Sequence, residues 1–248
     1  MWQSMLKVAS ATALYGLAHS ALASRAAKQT AAHLIGDENR NGLYRAFYIA
    51  QSGLSFALLA RYIRSLPSRE VYHVRGPAAL AMHAVQLGGM LAAATAARQV
   101  GVSRITGAEN LSDWLQDKPV QPEPEAQGPA LDQQGLPRAA GPFAWSRHPL
   151  NVAPLLILWM WPRMTTSLLA FNLTATAYLI VGSLHEEMRL REAYGARYER
   201  YQQSGVRFYL PWPSHRPTQA TGALLSARLA PAEANDETPS AARVTAAY

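Results

Sequence analysis

The chain has 248 residues, 49% of them hydrophobic and only 16% charged, against roughly 25% charged in soluble domains, so it reads as a membrane protein with one large domain or two small ones. A formal net charge of +7 suits an anionic membrane surface; with no basic cluster interleaved with aromatics, nucleic acid is set aside as a partner. The absence of cysteine excludes disulfides, thiolate metal sites and cysteine nucleophiles.

A helix that crosses a bilayer needs about 20 mostly apolar residues, because lipid cannot satisfy a free backbone amide. Five windows come near this, which predicts an all-α polytopic protein with about five transmembrane helices. The first, Val8 to Leu22, contains His19. It has a second reading, since Lys7, an apolar core and Ala21-Leu22-Ala23 also resemble a signal peptide with its cleavage site. Ala46 to Ala60 carries no charge and is bracketed by Arg45 and Arg61, whose long side chains reach toward the interface. Gly76 to Ala97 is rich in small residues, which permit close helix contacts. Asp117 to Pro142, rich in Pro, Gln and Glu, reads as an irregular loop. Pro149 to Trp161 is short, and Met164 to Leu184 is the clearest span. Beyond Trp212 the composition is that of a low-complexity, disordered tail. The expected organisation is an N-terminal three-helix membrane region over 1–106, an irregular cytoplasmic loop over 107–140, a helical hairpin with a C-terminal helix over 141–212, and a tail over 213–248.

Five spans would put the first loop, the third loop and the C-terminal segment on one side of the membrane. That side holds Arg25, Lys28, Arg40, Arg98, Arg104, Lys118, Arg138 and Arg147, and the other holds Arg64, Arg69, Arg75 and Arg163. The richer side is expected to be cytoplasmic.

The hairpin also brings distant residues together. Arg147-His148-Pro149 stands at its start and His185-Glu186-Glu187 at its end, so both emerge on the cytoplasmic side. The legs are unequal, roughly 20 and 32 Å at 1.5 Å per residue, which predicts an offset on the order of 10 Å between His148 and Glu186, room for a ligand. After the hairpin, His185 to Ser204 has a helical pattern in which Leu190, Tyr194, Tyr198 and Tyr201 form one stripe, with Glu186 at its head. Plainer readings stand beside these. Glu187 with Arg191 and Glu186 with Arg189 have the spacing of ordinary helix ion pairs, the tyrosines suit packing or an interfacial belt, and Arg147 suits lipid phosphate. His148 before Pro149 suits a helix start. His19 and His83 read as hydrogen-bond partners of neighbouring helices. His185, Glu186 and Glu187 are of metal-ligand type, but consecutive helix residues radiate instead of converging, so no metal is expected.

Together, Arg147-His148-Pro149, about forty apolar residues, Glu186-Glu187, then Leu190, Tyr194-Gly195, Tyr198, Tyr201 and Pro211 resemble the membrane-embedded methyltransferases. These comprise isoprenylcysteine carboxyl methyltransferase, phospholipid N-methyltransferases, and the bacterial NnrU and methanethiol S-methyltransferase relatives. The resemblance covers roughly residues 135–212. In the N-terminal half, His19-Ser20, Ala23-Ser24, Lys28 and Arg45-x-x-Tyr48 look similar to the NnrU and methanethiol branch. Such families often read R-H-P-x-Y-x-G, whereas this chain has Asn151 for the Tyr and Ala153 for the Gly, and Val206-Arg207 where relatives often carry V-P.

What the resemblance implies is an integral protein of the bacterial inner membrane whose cytoplasmic site holds S-adenosylmethionine between the RHP and double-Glu segments. The implied cofactor residues are Arg147, His148, Pro149, Asn151, His185, Glu186, Glu187 and Tyr198, with His148 or Glu186 as a base where the acceptor must lose a proton. Anionic and aromatic groups suit the cofactor's sulfonium and ammonium, and a cationic group suits its carboxylate. With no glycine-rich dinucleotide loop in the chain, the expected acceptor is small or lipophilic (thiol, amine, carboxylate or hydroxyl) and reaches the site among membrane lipids. The alternative is a non-catalytic NnrU-like membrane protein acting as a binding or assembly module. A transporter is weaker, because none of the five windows contains a carboxylate.

Overall fold

The computed structural model describes residues 2–122, 128 and 137–209. Much of the expected irregular loop, together with Pro211 and the 213–248 tail, lies outside these described residues. In chain order the helices are α1 (Trp2–Ala23), α2 (Arg25–Ile35), α3 (Asp37–Ser65), α4 (Gly76–Val100), α5 (Val102–Thr106), α6 (Ala108–Leu115), α7 (Pro149–Trp159), α8 (Thr166–Tyr194) and α9 (Ala196–Gln203). A short 3-10 helix at Gly141–Ala144 precedes α7, and β1 (Glu70–His73) pairs antiparallel with β2 (Arg163–Thr165). The fold of the described residues is thus nearly all-α.

Each apolar window lies on a helix, but the helices differ in what they can span. Among the described residues, only α4 and α8 are both long and apolar enough to cross a membrane, and just 11% and 22% of their apolar windows are buried inside the chain. A core helix of a soluble protein would be mostly covered. At 11 residues, α7 is about 16 Å long and falls well short of a hydrocarbon core.

The packing has the polarity of helices in lipid. The buried positions of α1 include Ser4, Thr12 and Gly16, and those of α3 and α4 include Ser52, Gln86 and Gly89. Meanwhile Leu14, Leu17, Leu54, Leu58, Leu80 and Leu91 point outward. Where the surroundings are as apolar as leucine, helices gain by close backbone approach and buried hydrogen bonds. A Cβ on Gly16 would stand 2.7 Å from the Tyr178 ring of α8, and one on Gly89 would stand 3.2 Å from the Ala153 carbonyl of α7. Gln86 donates to the Ile157 carbonyl across the same α4/α7 contact at 2.9 Å. His19 hydrogen-bonds Tyr48 and Ser52 on α3, as a histidine within an apolar helix should.

Elements outside these helices mark two ends. The β1/β2 pair joins the chain after α3 to the chain after α7. At the opposite end α6 packs on the start of α3, where Trp114 Nε1 donates to Asn39 Oδ1 at 2.9 Å and Asn110 Nδ2 to the Asn41 carbonyl at 3.1 Å. Helix α6 occupies part of the 107–140 stretch expected to be irregular, and α2 was also not anticipated; both are short and amphipathic. Ser24 caps α2 by accepting from the Ala27 amide.

The expected offset between the hairpin legs does not exist. Trp159 Nε1 donates to Thr176 Oγ1 at 2.9 Å and Asn172 Nδ2 to the Leu158 carbonyl at 2.8 Å, so the end of α7 meets α8 well inside the latter. Equal numbers of residues then separate Pro149 from Trp159 and Thr176 from Glu186. The surplus length of α8 runs alongside the extended β2 segment, and the two functional ends finish level. Nor does a new helix start at His185. Helix α8 continues to Tyr194 and breaks at Gly195, whose φ of 53° and ψ of −134° suit only a residue without a side chain.

Candidate functional site

His148 is the residue before the first turn of α7, where Pro149 fits because its missing amide would have no helical partner. A parallel bridge between Ser146 and Arg207 fixes the backbone on its other side, with the Arg147 amide donating to the Arg207 carbonyl at 2.8 Å. Ser146 Oγ donates to the Phe208 carbonyl at 3.2 Å and accepts from the His148 amide at 3.1 Å. Phe208 closes over the pair, its ring centroid 4.9 Å from that of His148 and 5.8 Å from the Arg147 guanidinium carbon.

These restraints aim both side chains at Glu187. Its Oε1 accepts from Arg147 Nε at 2.8 Å and from the Tyr198 hydroxyl at 2.9 Å, and lies 2.8 Å from His148 Nε2. Gln202 donates to Oε2, and Arg191, the expected helix partner, stands only at 4.0 Å. Arg147 uses Nη1 on the Val206 carbonyl at 2.8 Å. Beneath this node Leu190, Tyr198, Tyr201 and Val206 form a buried cluster. The head of the aromatic stripe is therefore Glu187 and not Glu186, because Gly195 breaks the helix and resets the phase of α9.

Glu186 points elsewhere. Its Oε2 lies 3.2 Å from His148 Nδ1 and accepts from Asn151 Nδ2 at 3.3 Å. Asn151 also donates to Ser183 Oγ at 2.7 Å; Ser183 is 2.9 Å from the Tyr209 hydroxyl, which donates to the Leu179 carbonyl at 2.8 Å. The imidazole thus bridges two carboxylates. Burial pushes its pKa down, but hydrogen bonds and charge from Glu186 and Glu187 outweigh this and leave it above 6.5. Burial, with the Glu187 charge added, pushes the Tyr198 hydroxyl up, so it stays a donor.

A cavity of about 730 Å³ lies on the Glu186 side. Of the eight residues expected around a cofactor, it is lined by Asn151, His185 and Glu186; Arg147, His148, Pro149, Glu187 and Tyr198 do not line it. The rest of its wall comes from the N-terminal half: His19, Ser20, Ala23, Ser24, Lys28, Arg45 and Tyr48, all within the sequence signatures quoted above, and also Arg25 and Tyr44. Tyr178, Arg189 and Glu192 of α8 also line it, with apolar wall from both halves such as Ile49 and Leu179. Sequence reasoning missed Ser183, Gln202 and Tyr209, for which no local pattern exists, and Tyr178, whose only signal is its place within an apolar span. The cavity thus combines anionic, cationic and aromatic groups with apolar wall at the end of apolar helices.

No family model matches the chain, and no solved structure matches it. Among curated proteins it is similar to the methanethiol S-methyltransferase of Mycobacterium tuberculosis, 38% identical over 76 residues, or 31% of this chain and 30% of that one. The Pseudomonas deceptionensis protein of the same name is 35% identical over 80 residues, covering 32% and 30%. Methanethiol S-methyltransferase 1 of Bradyrhizobium diazoefficiens is 25% identical over 201 residues, covering 81% of this chain and 64% of that one. The matched segments thus span between 30% and 64% of these relatives' own length. All three of these relatives are named for methyl transfer to methanethiol. By short stretches and, at lower identity, over most of its length, the chain resembles the methanethiol branch of the membrane methyltransferases, as its motifs imply.

Proposed function

We propose that the protein is an integral-membrane methyltransferase that moves a methyl group from S-adenosylmethionine to a small thiol. In this reading the bundle of α1, α3, α4, α7 and α8 is embedded in the bacterial inner membrane, with α4 and α8 crossing it outright, and the cavity opens to the cytoplasm, the side with more arginine and lysine. The observation that carries it is the shared cavity, where the N-terminal signature residues meet Asn151, His185 and Glu186.

The residues fit the cofactor by their chemistry. About 730 Å³ falls within the usual range for small-molecule sites. Glu186 suits a cationic group, Tyr44 and Tyr178 offer aromatic faces, and Lys28 and Arg189 suit a carboxylate, while Arg25 and Glu192 pair with each other at 3.0 Å. When bound, S-adenosylmethionine supplies a methyl group on its own leaving group, which leaves the protein to align the partners and exclude water. His148 and Asn151 fix the Glu186 carboxylate from behind, so His148 is a positioning residue. The Arg147–Glu187–Tyr198 node holds that imidazole in turn. Methanethiol is taken from the relatives' names; amines, carboxylates and hydroxyls are the competing acceptors.

The test uses purified protein in detergent. Micromolar S-adenosylmethionine binding by calorimetry and dimethyl sulfide in the headspace after addition of methanethiol are expected. Glu186→Gln should weaken binding about tenfold, the cost of one charge-assisted contact of roughly 1.4 kcal/mol. No cofactor binding and no product with any of the four acceptor classes would overturn the reading.

A further inference from the structure

Away from Glu186, where α1 faces α3, the cavity wall carries a hydrogen-bonded chain that the cofactor does not require. The Tyr48 hydroxyl is 2.6 Å from His19 Nε2, and His19 Nδ1 is 3.0 Å from Ser52 Oγ, which accepts from Gln51 Nε2 at 3.0 Å. With Nδ1 donating to Ser52, Nε2 accepts the Tyr48 proton. Arg45, held by donation of its Nε to the Ile105 carbonyl at 2.7 Å, has its guanidinium carbon 5.4 Å from the Tyr48 ring centroid, a cation–π contact that fixes the ring. His19 also lines a second cavity of about 430 Å³ between α1 and α3, whose other walls include Leu14, Ala18, Leu58 and Leu59. Leu14 and Leu58 on its rim are exposed on the apolar flank of the helices. One histidine therefore stands between the larger cavity, with its charged groups, and an apolar groove that opens sideways.

We infer that this junction is the acceptor subsite: a small uncharged thiol enters through the α1/α3 groove and gives its proton to the Tyr48–His19 pair. The inference rests on the methyltransferase reading and adds the acceptor's seat to it. A thiol near neutral pH is mostly protonated and a weak nucleophile until it loses that proton. In the step, the S–H bond breaks and its proton passes to the Tyr48 oxygen while the Tyr48 proton moves to His19 Nε2. The sulfur lone pair forms the new S–CH3 bond, and the methyl's bond to the donor sulfonium breaks with its electrons left on the donor sulfur. Charge is conserved, because one cationic sulfonium is lost and one imidazolium gained. The imidazolium then returns its proton to water through the larger cavity.

The test compares Tyr48→Phe and His19→Gln with the parent chain, using methanethiol and methaneselenol as acceptors; the selenol is already ionised at neutral pH and needs no base. Cofactor binding by calorimetry reports that each variant is folded and that its cofactor seat is intact. The expected result is a thiol rate lowered about 10²-fold at pH 7, the usual worth of a positioned base, with the loss shrinking as pH rises and nearly absent with the selenol. A groove-filling change, Ala18→Trp, should raise KM for methanethiol about tenfold, the effect of losing roughly 1.4 kcal/mol of acceptor binding, at unchanged cofactor affinity. Equal losses with thiol and selenol, loss of cofactor binding in both base variants, or an unaltered KM in the groove variant would each overturn the inference while the parent's activity stands. A parent that methylates neither acceptor would remove the function reading itself.

Discussion

At the scale of single residues, the two adjacent glutamates do different work because neighbours on a helix point about 100° apart. Glu187 is buried, its side chain 8% exposed, and it neutralises Arg147 beside the His148 imidazole. Glu187→Ala leaves that guanidinium largely buried with no carboxylate partner, while the imidazole keeps only Glu186, which is expected to cost about 3–5 kcal/mol of stability. Glu186→Ala, at a position 36% exposed, should unfold nearly as the parent does. Thermal unfolding of both variants in one detergent checks the contrast, and equal losses would refute it. His148 gives a pH signature. Its pKa is raised on folding, so its stabilisation is complete below the ordinary value of 6.5 and fades as pH rises through the higher, folded value. The unfolding temperature should fall above neutrality, and His148→Gln should flatten that fall; a parent curve that climbs over the same range would contradict the assignment.

At the scale of elements, the apolar windows were legible because lipid-facing helices advertise themselves by composition, and all five coincide with helices. The convergence of Arg147-His148 with the double glutamate was legible from hairpin logic. Its geometry was not, because the length of the extended β2 segment depends on pairing with β1, about ninety residues earlier in the chain, by Arg163 Nε donating to Glu70 Oε2 at 2.8 Å among other contacts. The phase of the tyrosine stripe failed for a local reason, the break at Gly195. A side chain there is strained, and Gly195→Val should cost about 1–3 kcal/mol, read as a lower unfolding temperature with Tyr198 less protected from solvent. Gly16→Leu acts between elements instead. Its first side-chain atom overlaps the Tyr178 ring, which lines the large cavity, so cofactor affinity should drop severalfold although Gly16 touches no ligand; unchanged affinity would show that Tyr178 moves freely.

At the scale of the whole molecule, the β1/β2 pair and the candidate site stand at opposite ends of the helices. If α4 and α8 traverse the bilayer, those ends face different compartments. The chain has no cysteine of its own, so single cysteines report directly. Val71→Cys on β1, at a position 50% exposed, should react with a membrane-impermeant maleimide added to intact spheroplasts. Lys118→Cys, just after α6, should react only after lysis. Labelling of both before lysis, or the reverse pattern, would contradict the proposed topology.

The bridge from Ser146 to Arg207 has a consequence for biogenesis. Every helix of the bundle leaves the ribosome before the short segment that pins the Arg147-His148 corner. A nascent chain halted after Gly205 should insert and pack its apolar rods, yet carry an unanchored arginine where the finished protein has a buried ion pair. Assembly of the candidate site thereby waits on residues 206–208, and a chain terminated before them should be inserted but lack the pinned corner.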